Sequence, residues 1–228
     1  MSIRPALGMA EINNVNQTDS MNMKPRSMKP LFFPIIDNGM GLSVTAWAVS
    51  MLAGTRGERL FCHVSSPYCG YAMDVATHHF LTSAADEMIL IDTDLIFSPW
   101  DVRHLLEHDE PLVFGVYPKR KVEFDLPMEA LPDNPRPFDQ PGPLCEVAKT
   151  ARGFMRVHRS VFEKMKPHVR KVEHSEFGPF YNFWPLSPDG TSEDYAFCAK
   201  WRELGGKVLV DKRILVKHAG QVQYPIEF

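Results

Sequence analysis

Cysteine, net charge and long apolar runs are all scarce in this chain, and each scarcity removes a class of protein. The four cysteines, Cys62, Cys69, Cys145 and Cys198, show no C-x-x-C spacing. That argues against a zinc ribbon, a dithiol redox motif or a disulfide framework, and for free buried thiols in a reducing compartment. The formal charge is −3 and the pI about 6.3, so there is no basic footprint for nucleic acid. No apolar run approaches the ~18–20 residues that span a bilayer. The first residues lack the basic and apolar regions of a secretion leader, and the expected location is the cytoplasm. Without such a leader, the sequon Asn16-Gln17-Thr18 carries little meaning.

What is present suits one core. With 228 residues, 44% of them hydrophobic, the chain can form a single domain with decorations. Residues 1–28 are polar, Met-rich and aperiodic and read as a disordered or loosely docked tail; the ordered domain is expected over 29–228. The informative stretch is Met88-Ile89-Leu90-Ile91-Asp92-Thr93-Asp94. A continuous apolar run predicts a strand buried on both faces. If that strand continues through the acids, its period of two puts Asp92 and Asp94 on one side. Two neighbouring carboxylates are costly to bury unless a divalent cation holds them, itself binding phosphate oxygens. Ser98-Pro99-Trp100-Asp101 then opens a helix with a Ser cap, Pro at the first position and an acid in the first turn. The acidic pair therefore falls in a strand-to-helix connection, where open α/β sheets place their ligands. The alternative is that Asp92 only caps a turn.

Strand and helix signals alternate four times in the first half. The strands are Pro30–Ile36, Arg59–Val64, the acidic strand and Pro111–Tyr117; helices are read over 43–52, 71–83 and 99–108. The pattern predicts a mostly parallel, Rossmann-like α/β sheet flanked by helices. Pro34 marks the end or an edge of the first strand. From Lys119 to Gly142, five prolines and little periodicity predict a long loop of the lid or binding kind. Ser160-Val161-Phe162-Glu163 reads as a capping box. The helix opening at Glu193-Asp194 has Phe197, Cys198, Trp201 and Leu204 on one face.

Each remaining candidate has an ordinary structural reading beside the chemical one. Glu193 and Asp194 complement a helix dipole, yet a carboxylate fixed at a rigid helix end also suits a general base. His218 fits a surface or core position, or a neutral imidazole completing a carboxylate-held Mn²⁺ site. Lys119, in the basic run 119–121, pairs with phosphates or is merely solvated. The aromatic cluster with Tyr181 and Trp184 packs the core or stacks on a sugar.

Taken in order, Leu90-Ile91-Asp92-Thr93-Asp94, Gly115-Val116-Tyr117-Pro118-Lys119, Gly153-Phe154-Met155, Ser192-Glu193-Asp194-Tyr195-Ala196-Phe197 and His218 resemble a GT-A glycosyltransferase, most of all the compact kind of phages, large DNA viruses and bacteria. The resemblance covers roughly residues 31–220. It implies a GT-A fold with a nucleotide-binding half over about 29–118 and an acceptor half over about 143–228. It implies that Asp92 and Asp94 hold Mn²⁺ or Mg²⁺ and, with Thr93 between them, the diphosphate of a UDP- or GDP-sugar. It makes Asp194 the catalytic base of an inverting reaction and His218 a metal ligand. Pro34, Ile36 and Asp37 then border the nucleoside, Gly153 lies against the donor sugar, and Tyr181, Trp184 and Glu193 face a glycan or other hydroxyl acceptor. The location becomes the host cytoplasm if the source is viral. The Arg-Asn pair that related sequences often carry before the D-x-D strand is replaced by Met73-Asp74. Two rivals stand: a nucleotidyltransferase, for which Asp37-Asn38-Gly39-Met40-Gly41 is poor in cations, and a non-catalytic carbohydrate-binding module.

Overall fold

Strand β3 (Glu87–Asp92) is the apolar run of the sequence, buried from Glu87 to Ile91 as two-faced burial requires. Met88 and Leu90 enter one core, and Ile89 and Ile91 enter the other. The computed structural model describes residues 31–36, 64–65, 69–121, 123–174 and 178–219. The expected helix over 43–52, the tail 1–28 and most of the second strand lie outside these residues.

Around β3 runs a seven-stranded sheet. β1 (Leu31–Ile36), β2 (Val64–Ser65), β5 (Leu112–Val116) and β12 (Val208–Leu215) run with β3, whereas β7 (Leu144–Val147) and β9 (Phe154–His158) run against it. The order is β2-β1-β3-β9-β5-β12-β7. The expected α/β sheet is present: five of its seven strands run one way, and the antiparallel β9 separates β3 from β5. That insertion positions the site. An antiparallel strand brings its own beginning to the C-terminal ends of its neighbours, so residues 152 and 153 arrive beside Asp92 and Tyr117. Inside the sheet the buried Arg156 of β9 bonds Glu87 of β3 at 2.6 Å, satisfying two charges that burial would otherwise penalise. β1 meets β3 in parallel with Ile35 opposite Asp92. Among the described residues β2 pairs only with Ile35 and Ile36, so Pro34 sits where one ladder is not required.

Helix α1 (Cys69–Thr82) and the later helices α3 (Arg159–Met165) and α4 (Glu193–Glu203) cover one face, and α2 (Pro99–Glu107) packs beside the cluster on the other. The expected Ser cap of α2 is formed, and with Asp101 it closes a capping box: Ser98 N–H donates to Asp101 at 2.6 Å, and Asp101 N–H to Ser98 Oγ at 3.4 Å. α3 begins before Ser160, because the His158 side chain accepts from Ser160 N–H and caps the turn earlier. The loop after β5 contains the short β6 (Met128–Glu129), which pairs with β8 (Lys149–Thr150). β10 (Arg170–His174) and β11 (Gly178–Asn182) make an antiparallel hairpin. β4 (Leu95–Ile96) pairs with β13 (Lys217–His218), bringing the segment that holds His218 beside the turn after β3.

Trp184 lies in the core, not on a surface platform. It is 1% exposed, stacks on Phe197 at 4.1 Å between ring centres, and donates its indole N–H to Thr77 Oγ1. Truncating such a residue to Ala ordinarily costs about 3–5 kcal/mol. Cys69, Cys145 and Cys198 are free thiols, and no helix among the described residues is long and apolar enough to cross a membrane.

Candidate active site

The strand stops at Asp92, and the two acids part company there. Asp92 N–H donates to Gly153 C=O at 2.7 Å, continuing the β3–β9 ladder by one bond. The chain then turns through the buried Thr93, and Asp94 C=O accepts from Ala219 N–H at 2.7 Å. Asp92 and Asp94 thus face different partners. Asp92 Oδ1 meets Arg152 Nη1 at 2.5 Å, and Arg152 Nε lies 3.2 Å from Asp194 Oδ1. The same guanidinium contacts Cys69 Sγ. With 5% of its side chain exposed, Arg152 is a buried cation joining the end of β3 to the start of α4.

Asp94 belongs to a second group. Its Oδ2 is 3.0 Å from His218 Nε2, and the Arg120 guanidinium contacts the same oxygen. His218 Nδ1 is 2.9 Å from the Pro118 carbonyl, which only accepts, so Nδ1 carries the proton. The Nε2 lone pair then accepts from Arg120 Nε–H at 3.0 Å and faces Asp94, acceptor toward acceptor. Two acceptors that close are ordinarily bridged by a cation, and here the guanidinium supplies it. Asp94 Oδ1 is buried with no hydrogen-bond partner among the described residues. Such an orphaned oxygen, beside a fixed neutral imidazole, fits a divalent ion completed by substrate phosphates. The fit is to Asp94 and His218 alone: no three acid, His or Cys side chains among the described residues gather with metal-ligand spacing.

Gly153 is a spacing requirement. A Cβ there would meet Tyr117 Oη at 2.4 Å and Asp92 Oδ2 at 2.7 Å. Its N–H donates to Tyr117 Oη at 3.0 Å, and the Tyr117 ring meets His218 edge-on at 5.3 Å. One buried tyrosine therefore touches both groups. Asp194 is 18% exposed; burial pushes its carboxyl up to about 7, with Arg152 pulling the other way and Glu193 adding to the rise. A carboxylate with such a pKa is half-ionised near neutrality, where a general base is most useful.

The structure thus brings Asp92, Asp94, Asp194, Gly153 and His218 to one end of the sheet. Ile36 ends β1 beside them, and Pro34 lies two residues earlier in that strand, while Asp37 falls outside the described residues. Lys119 is turned away: its ammonium pairs with Asp125 at 2.9 Å, and its N–H bonds the Asp125 carbonyl. Arg120 takes the inward position. Glu193 lines a cavity beside Asp194, Trp184 forms part of that cavity's wall from the core, and Tyr181 is on the opposite face of its strand from the lining residues Phe180 and Asn182. Sequence reasoning passed over Arg152 and gave Tyr117 and Asp74 no role of their own. Asp74 had a signal, a lone acid among apolar neighbours in α1; it is 2% exposed and accepts from Asn182 Nδ2 at 2.5 Å, Phe183 N–H at 2.7 Å and Trp184 N–H at 3.2 Å. It is the clasp between α1 and the end of β11.

No family model and no curated protein matches the chain in sequence. Solved structures do match in shape. The crystal structure of A197 from STIV superposes with a TM-score of 0.55 at 14% identity, covering 88% of this chain and 95% of that one. GalNAc-T7, crystallised with UDP, GalNAc and Mn²⁺, gives 0.55 at 10% identity over 88% of this chain. The fold is GT-A-like. The match spans 44% of the GalNAc-T7 chain. At these identities the likeness is one of architecture.

Proposed function

We propose that this protein is a glycosyltransferase that moves a sugar from a nucleotide-sugar, UDP- or GDP-linked, to an acceptor hydroxyl with inversion, assisted by Mn²⁺ or Mg²⁺. The observation that carries the reading is the placement of a partly buried carboxylate, Asp194, across a single arginine from the D-x-D turn, its pKa raised by burial. A divalent cation at Asp94 and His218 would act as a Lewis acid on the departing diphosphate. Asp194 takes the proton of the acceptor hydroxyl as that oxygen bonds the sugar's anomeric carbon. The anomeric carbon–phosphate oxygen bond breaks, and the electron pair leaves with the diphosphate. Arg152 keeps Asp194 and Asp92 at fixed separation, which is where positioning enters the rate. Gly153 lets the start of β9 pass directly against Tyr117 and Asp92, because any side chain there collides with them.

A thermal-shift screen of nucleotide-sugars with and without Mn²⁺ tests the reading. A cognate donor at about 100 times its Kd adds ~2.7 kcal/mol of stability; no shift with any donor would sink it. NMR of the product's anomeric proton reports inversion or retention directly. Arg120 makes a separate prediction. It competes for the same two acceptors as the metal, so Arg120→Ala is expected to tighten Mn²⁺ binding about tenfold, a change of ~1.4 kcal/mol. Calorimetry finding equal or weaker Mn²⁺ affinity in that variant would exclude competition.

A further inference from the structure

Beside Asp194 opens a cavity of about 490 Å³ whose lining points to its occupant. One wall is the β10–β11 hairpin. Arg170 lies directly opposite Asn182, and Val172 opposite Phe180, and all four line the space. The alternate residues of those strands, Lys171 and Tyr181, fall on the other face. The second wall is the start of α1, where Gly70 permits close approach: a Cβ there would meet the Trp184 carbonyl at 2.5 Å. Glu193 closes the third side. Tyr71 and Leu186, exposed by 38% and 79%, stand at the rim. The hairpin is fixed to α1 through the bond from Asn182 to Asp74, so the walls hold their spacing.

Two features select a ligand. Arg170, exposed to solvent, and Glu193, half-buried, make no ion pair and no side-chain hydrogen bond among the described residues, and both line a largely apolar space. An arginine in such a place meets carboxylate or phosphate with paired N–H donors, more strongly than it meets neutral oxygen. The carboxylate of Glu193 accepts from hydroxyls and lies one residue before the proposed base. A volume in the ordinary range for small-ligand sites, about 300–1,000 Å³, with apolar walls and a few polar groups, suits a sugar-sized molecule. Tyr71 offers the apolar face of that ring a partner. The cavity also adjoins the proposed base: its residue Cys69 touches Arg152, whose other nitrogens reach Asp92 and Asp194.

We propose that this cavity is the acceptor site and that the acceptor is a sugar carrying an anionic substituent, a carboxylate or a phosphate, bound by Arg170. The assignment rests on the glycosyltransferase reading and names the substrate class of its second site. Glu193 orients ring hydroxyls, and one of them is presented to Asp194.

Ligand-observed NMR on the full chain tests this with three sets of probes: uronic acids, hexose 6-phosphates and their neutral parent hexoses, each in gluco and galacto form. At least one anionic probe is expected to bind about tenfold or more tightly than its neutral parent. The uronic acid and phosphate arms tell which anion is meant. The preference is expected to disappear in Arg170→Ala and to survive in Lys171→Ala, whose side chain is on the opposite face. A melting temperature equal to wild type establishes that Arg170→Ala folds. Equal binding of neutral and anionic sugars, binding of none, or a preference that persists in Arg170→Ala overturns the proposal. So does inorganic phosphate or acetate binding as tightly as the sugars, since that removes the sugar from the assignment. Donor thermal shifts with Mn²⁺ run in parallel separate the two levels. Donor binding without anion preference rejects the acceptor class and leaves the transferase reading standing; anion preference without any donor binding rejects the transferase reading and with it the acceptor assignment.

Discussion

Asp194→Asn lowers turnover by about 10² or more and leaves donor affinity unchanged: that is the expected result if this carboxylate is the base. The amide has nearly the same volume and can still face Arg152, so packing is preserved while proton acceptance is lost. The pH profile gives an independent check. Burial raises the Asp194 carboxyl to about 7, above its ordinary value of 3.8, and a base works only when deprotonated. Turnover is therefore expected to rise with pH through about 7 and level off above it, and the rising limb is expected to vanish in Asp194→Asn. Steady-state kinetics across pH 5–9, with donor binding measured separately, would decide the matter. A variant that turns over normally would return Asp194 to the role of a helix-terminus charge worth ~0.3–1 kcal/mol.

Asp94→Ala has the second large effect, and on the other substrate. It removes one of the two side chains that fit a metal and the only one that is negatively charged. The Mn²⁺-dependent part of donor binding is expected to fall by about 10²-fold or more, since even losing a group that only orients a metal ligand costs about 10–100-fold in metal affinity. Titration calorimetry of donor with and without Mn²⁺ reads this difference. Asp92→Ala serves as the contrast. Its carboxylate engages Arg152 rather than the Asp94–His218 pair, so Mn²⁺ affinity itself is expected to fall less than in Asp94→Ala. Unchanged Mn²⁺-dependent binding in Asp94→Ala would dismiss the metal assignment.

Metal and base are joined mechanically as well as chemically. Tyr117 touches Gly153 through its hydroxyl and His218 through its ring, and Arg152 ties Asp92 to Asp194. Each group is fixed from a different part of the chain, by β5, the start of β9, the start of α4 and β13. A site so assembled depends on the register of the sheet. A slip of one residue in β9 would turn Phe154 and Met155 to the wrong faces and remove Arg152 from Asp92.

Much of this was legible in the residue order because the signals are local. The run Met88–Ile91 signalled a strand buried on both sides, since a half-exposed strand ordinarily alternates apolar with polar residues. Ser98, Pro99 and Asp101 dictated a helix start, because cap, ring and acid each serve the unpaired N–H groups of a first turn. The spacing of Phe197, Cys198 and Trp201 set the buried face of α4, and all three are buried. The order of motifs placed the acids and His218 in one neighbourhood. Tertiary structure decided the rest. Nothing near Phe154–His158 tells a strand which neighbours to take or in which direction, because pairing is a contest among distant segments; the antiparallel β9 that delivers Arg152 followed from that contest. Whether Tyr181 or Phe180 faces the cavity turned on the parity of a hairpin register. Arg120 rather than Lys119 reached Asp94 because Asp125 holds the lysine. Burial of Trp184 against Phe197 converted an apparent stacking platform into core. Local chemistry named the parts, and long-range packing chose which of them touch.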